Sequence, residues 1–393
     1  MNDTHISATE LRLPAADGSL SVYRLRGEPL PIAKPARAFN RVAFSAAHVV
    51  ADPFTATEPS GKPVLDWPRT IAYRRHLIGL GLGIAEAMDT AQRGMGLDWH
   101  GALELIGRTL AETRDLPEAL IFSGCGTEQL DPADARSIDD VVAAYLTQMH
   151  AIQKLGGRII LMASRALARV AKSPDDYRKV YARVLAEADK PVILHWLGDM
   201  FDPALAGYWG GERFEDTMET ALGVISDSAA KVDGIKISLL DDAKEVTMRR
   251  RLPAGVKMYS GDDFNYPELI AGDEQGFSHA LLGIFDAIAP AASSALAALA
   301  AGDRARYDAL MAPTVPLSRL IFRAPTRFYK TGVVFLAYLN GHQDHPVMVG
   351  GQQAMRPLPY FCDIFKLADQ AGLLADPADA SARMRRFLAF YGV

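Results

Sequence analysis

Lys190-Pro191-Val192-Ile193-Leu194-His195-Trp196, read together with Asp233-Gly234-Ile235-Lys236-Ile237-Ser238, decides the fold of this chain. Each is a short apolar run with one ionisable side chain near its C-terminal end. In a parallel barrel that end faces the active site, so a lysine or histidine there has a chemical meaning that it lacks on a helix surface. Gly-Ile-Lys-Ile sets Lys236 among apolar neighbours. Desolvation lowers a lysine pKa and makes a neutral, nucleophilic amine accessible near neutral pH. The plainer reading pairs Lys236 with a carboxylate such as Asp262 and merely closes the barrel mouth.

Outward from these two runs, a rhythm fills the chain. Apolar strands are predicted at about 41–49, 83–90, 119–124, 158–163, 191–197, 233–238, 255–260 and 279–285, with helical patterns between most of them, as at 99–113, 138–154, 174–188 and 214–228. Ser137 with Asp140 three residues on, and Ser173 followed by Pro174 and two acids, are helix starts. This alternation predicts an α/β fold, a closed (β/α)8 TIM barrel over 39–290. Before it, two alternating runs around Asp17-Gly18 predict a hairpin, so 1–38 reads as an N-terminal hairpin and linker. After it, 291–393 reads as a C-terminal helical extension with helices at 293–311, 327–340, 361–374 and 379–391.

With 393 residues, 49% hydrophobic and 23% charged, the composition is that of a globular chain. A net charge of −5 gives no electrostatic reason to expect nucleic acid or a membrane surface. Cys125 and Cys362 are too few and too separated for a disulfide framework or a cysteine zinc site, which points to a reduced, cytoplasmic setting. Residues 1–30 lack the apolar core of a signal peptide. The Gly79-Leu80-Gly81-Leu82-Gly83 run precedes a strand, whereas a dinucleotide loop follows one. His48, Asp89, His195 and Asp262 fall near predicted strand ends, which keeps a divalent-metal enzyme as an alternative.

The order Pro-Val-Ile-Leu-His, Val-Asp-Gly-Ile-Lys and then Lys257-Met258-Tyr259-Ser260-Gly261-Asp262-Asp263 resembles the dihydrodipicolinate synthase and N-acetylneuraminate lyase family, over about 41–374. The resemblance implies TIM-barrel aldolase chemistry without a cofactor, with Lys236 as the Schiff-base lysine, and a dimer or tetramer. Tyr208-Trp209-Gly210-Gly211 is apolar enough to be interface material. Three departures follow. The family's tyrosine at the end of strand five is replaced by His195, which would relay protons with a pKa nearer neutrality. Its Gly-Thr-Thr-Gly-Glu, which holds the keto-acid carboxylate, is replaced by Met88-Asp89-Thr90-Ala91-Gln92, where Asp89 would repel that group. Its second tyrosine gives way to Ser164-Arg165-Ala166, in which Arg165 offers an anion contact.

The expectation is therefore a Schiff-base lyase, aldolase or dehydratase acting on a keto acid, keto sugar or sugar acid. Lys236 and His195 would be catalytic, while Asp89, Thr90, Arg165, Ser238 and Asp262 would bind substrate. A non-catalytic, sugar-binding barrel is the remaining alternative.

Overall fold

The structure is a computed structural model and describes residues 10–31, 35, 38–55, 58 and 60–393. The hairpin forms as β1 (Glu10–Pro14) and β2 (Leu20–Arg24), antiparallel, with Gly18 in left-handed backbone at the turn (φ 82°). The connector beyond it, and the first nine residues of the segment read for a leader, lie partly or wholly outside the described residues.

Eight parallel strands close into a barrel: β3 (Ala43–Ala46), β4 (Gly83–Glu86), β5 (Ile121–Cys125), β6 (Arg158–Leu161), β7 (Val192–Leu197), β8 (Val232–Ser238), β9 (Lys257–Ser260) and β10 (His279–Leu282). They stand in chain order around the barrel, and β10 pairs β3 to complete it. All eight predicted strands are present. β3, β4, β6 and β10 end before their predicted limits, because the apolar pattern runs on into the loops that follow them. Phe44, Phe122, Ile160, Ile193, Tyr259 and Leu281 fill the interior, with the Phe44 and Phe122 rings edge to face at 5.3 Å. Gly234 in the Gly-Ile-Lys run makes room for this filling: a Cβ there would stand 2.6 Å from the Tyr259 ring and 2.5 Å from the Lys257 carbonyl oxygen.

The interleaved helices include Trp99–Glu112, Ile138–Lys154, Pro174–Ala186 and Phe214–Asp227, close to their predicted limits. Ser137 and Asp140 form the expected reciprocal cap. The helices depart from expectation in several places, including an unpredicted tail helix at Val315–Ile321. A helix at Trp67–Gly79, unpredicted, is announced by Asp66, which accepts from the Arg69 amide, and by Pro68 in the first turn. The single tail helix expected at 293–311 is two, Ala289–Ala300 and Arg304–Met311. Gly302 turns the chain with φ 80°, and Asp303 caps the second helix through the Arg306 amide. No helix of the described residues is long and apolar enough to cross a membrane.

The chain divides into two compact units. One comprises Arg41–Ala47 and Leu82–Gly283, and holds all eight barrel strands. The other gathers Met1–Asn40, His48–Gly81 and Ile284–Val393. Its polar centre is Asp286, buried, whose carboxylate accepts from the His48 amide (2.7 Å) and from His48 Nδ1 (2.9 Å) and lies 3.0 Å from the Tyr73 hydroxyl, which donates to the Asp286 carbonyl at 2.7 Å. The His48 Nε2 faces Gln343 Oε1 at 3.1 Å, and the Gln343 amide nitrogen donates to the His345 carbonyl.

In the barrel unit, Glu245 on the helix Asp242–Arg249 is buried against β9, where it accepts from the Ser260 hydroxyl at 3.0 Å. Burial pushes its carboxyl up to about 8. Between its ordinary value of 4.5 and about 8, the folded chain holds a proton that the unfolded chain releases, so this group's contribution is full at low pH and is lost as pH rises through 8. Glu245→Gln is therefore expected to flatten the fall in melting temperature between pH 5 and pH 9. Thermal unfolding of both proteins at both pH values measures this; parallel slopes would refute it.

Candidate active site

Side chains at the C-terminal ends of β4 to β9 converge, as the barrel requires of a site. His195 and Lys236 occupy paired positions on adjacent strands β7 and β8. Lys236 is 7% exposed, and Gly261, just past β9, gives its stem passage: a Cβ there would lie 2.8 Å from Lys236 Cε and 2.3 Å from Ser238 Oγ. Burial lowers the Lys236 pKa, opposed by the carboxylates of Asp263 and Asp89. The expected partner, Asp262, is engaged otherwise. Its carboxylate accepts from the amides of Phe264 (2.8 Å) and Asn265 (3.0 Å) and from the Asn265 side chain (2.8 Å), shaping the loop after β9.

His195 is fully buried. Its Nε2 meets Ser238 Oγ at 3.2 Å, while its Nδ1 has no hydrogen-bond partner. The expectation of a pKa nearer neutrality is corrected: burial first, then the neighbouring Lys236, holds it well below 6.5, so the ring is neutral at pH 7. Ser238, expected to bind substrate, is the partner of that ring.

A cleft of about 110 Å³ opens beside His195, lined also by Asp89, Thr127, Glu128, Arg165 and Asp202. Asp89 is set there by a backbone turn: Ala87 takes left-handed backbone (φ 53°), its amide held by the Glu86 carboxylate at 2.7 Å, and Asp89 begins a short 3-10 turn. Thr90 follows it, fully buried. Arg165 lines the cleft from an exposed position and donates Nε to Asp202 at 2.5 Å.

Arg93, which the sequence reading passed over, completes the wall. Arg93 donates to Glu128, to the carbonyls of Ala87 (3.1 Å) and Gly124 (2.7 Å), and to Gln148 (2.6 Å), fixing the loops after β4 and β5. The Thr127 and Ser164 hydroxyls meet at 2.6 Å; the Ser164 amide donates to the Tyr208 hydroxyl, which meets that of Tyr181 at 2.9 Å. Tyr208-Trp209 is therefore not interface material. Both side chains are buried, with Trp209 packed among Tyr177, Tyr181 and Trp196, because its large rings cover the loop after β7. The proposed metal set is likewise not assembled. His48 is committed to Asp286 and Gln343, and among the described residues no three His, Cys, Asp or Glu side chains are grouped to hold a metal ion.

Several solved structures share this fold. YagE, a prophage protein of the dihydrodipicolinic acid synthase family from E. coli in complex with pyruvate, matches with a TM-score of 0.65 and 15% identity, over 86% of this chain and 100% of its own. The dihydrodipicolinate synthase from Aquifex aeolicus gives 0.63 and 12%, over 85% and 99%. The chloride-inhibited dihydrodipicolinate synthase from Acinetobacter baumannii, complexed with pyruvate, gives 0.63 and 16%, over 85% and 99%. At these identities the likeness is one of fold, and it is the fold that the strand motifs implied. No curated protein matches the sequence. A family profile described as "Protein of unknown function (DUF993)" matches residues 11–393.

Proposed function

We propose that this chain, which belongs to the DUF993 family over residues 11–393, is a lyase that forms an imine between Lys236 and a carbonyl substrate. One observation carries the reading. A buried lysine with a lowered pKa lies in register with a buried, neutral histidine whose Nδ1 is unpartnered, at the strand ends where barrel enzymes work.

In the proposed sequence, the neutral Lys236 amine adds to the carbonyl carbon, and the nitrogen loses a proton as the carbonyl oxygen gains one. The carbinolamine then expels water to give a protonated imine. For carbon–carbon cleavage, the β-hydroxyl loses its proton and becomes the carbonyl of the departing fragment, while the electron pair of the bond between the α and β carbons moves toward the imine nitrogen to leave an enamine. For carbon–oxygen cleavage, an α-proton is removed to form the enamine, whose electron pair then expels the β-hydroxyl, protonated, as water. Protonation and hydrolysis return the free amine. His195 Nδ1 accepts and returns the protons, since its imidazole is neutral and within the cleft wall.

Incubation with carbonyl compounds and borohydride, followed by peptide mass analysis, tests this. A reduced adduct on the peptide carrying Lys236 is expected. Ligand-dependent stabilisation with no adduct from any compound would instead favour a binding barrel.

A further inference from the structure

Resting on the imine reading of Lys236, we infer from the charges around it that the substrate carries no carboxylate. The site fits an uncharged, polyhydroxylated ketone or aldehyde, not an α-keto acid.

An α-keto acid bound at Lys236 would hold its carboxylate one bond from the imine carbon, and that group would need cationic or N–H donors. The surroundings offer carboxylates instead. Asp263 and Asp89 both act on the Lys236 amine, two negative charges on one positive, and Asp89 also lines the cleft. The cleft's two guanidinium groups are committed. Arg93 is spent on Glu128, two backbone carbonyls and Gln148, and Arg165 is paired with Asp202. Asp89, Glu128 and Asp202 thus stand against two arginines that they already occupy or outnumber. A substrate carboxylate would meet like charge, which disfavours binding.

The same groups suit hydroxyls. A carboxylate accepts from two hydroxyls at once, and the Thr127–Ser164 hydroxyl pair beside the cleft can both donate and accept. Asp89 is the determinant, because it lines the cleft whose wall includes His195, the register partner of Lys236 on the adjacent strand.

Dihydroxyacetone and pyruvate, both three-carbon ketones, differ in this respect and make the test. Wild type, Asp89→Asn and Lys236→Arg are incubated with each, reduced with borohydride, and the Lys236 peptide is weighed; circular dichroism checks that the variants fold. Wild type should be labelled by dihydroxyacetone at least about tenfold more than by pyruvate, and Asp89→Asn should narrow that ratio by admitting pyruvate. Lys236→Arg identifies labelling at other lysines. Equal or greater labelling of wild type by pyruvate would overturn the substrate class while leaving imine chemistry in place. If neither compound labels Lys236, the imine reading falls and melting temperature decides. Stabilisation by dihydroxyacetone and not by pyruvate upholds the substrate class; stabilisation by pyruvate, or by neither, overturns it.

Discussion

Lys236→Arg is expected to abolish the borohydride-trapped adduct and to lower turnover of the trapping compound by on the order of 10⁴-fold or more, the scale seen when a covalent nucleophile is removed. Arginine keeps the positive charge and the length but cannot lose a proton, so it cannot add to a carbonyl. The charge balance with Asp263 and Asp89 survives, and with it the fold. Wild-type adduct formation should rise with pH, because attack needs the neutral amine. Burial lowers the Lys236 pKa, so the rise should be centred below the ordinary lysine value of 10.5. Trapping rates measured from pH 5 to pH 10 check both statements. An arginine variant that still turns the compound over within tenfold of wild type would end the nucleophile assignment.

Asp286→Ala is the substitution expected to destabilise most. Its carboxylate serves the His48 amide and His48 Nδ1, both buried. Removing it strands the two His48 donors away from water at about 1–3 kcal/mol each, while the Tyr73 hydroxyl keeps its closer acceptor, the Asp286 carbonyl at 2.7 Å, and the net loss should be about 2–5 kcal/mol after relaxation. Asp286→Asn keeps one acceptor and should lose less. Urea titration of the three proteins reads the difference in midpoints; an alanine variant within 1 kcal/mol of wild type would show that this centre is not a structural one.

The barrel was legible because its signal repeats. Short apolar runs recur with helical patterns between them, and eight such runs favour a closed parallel sheet over an open one. The strand ends of the site were legible for the same reason: Lys236, His195 and Asp89 each follow an apolar run. What the sequence hides is commitment. Asp262 and Asp263 are adjacent carboxylates with no local mark to say which one turns back onto its own loop, yet Asp262 does, and Asp263 acts on Lys236. His48 reads like His195, an imidazole past a strand, but its partners Asp286 and Gln343 are distant in sequence. Tyr208 and Trp209 look like exposed apolar material until Tyr177 and Tyr181 are brought against them.

The division of the chain sets the order in which it can fold during synthesis. β3 finds its second neighbour only when β10, at His279–Leu282, has been made, so the barrel stays an open sheet with a bare edge until then. The other unit waits longer. His48 and Tyr73 emerge early, but the acceptor they share is residue 286, and Gln343 comes later still. For most of translation the nascent chain therefore leaves an imidazole and a phenol to water, and this polar centre can form only once residue 286 has been made.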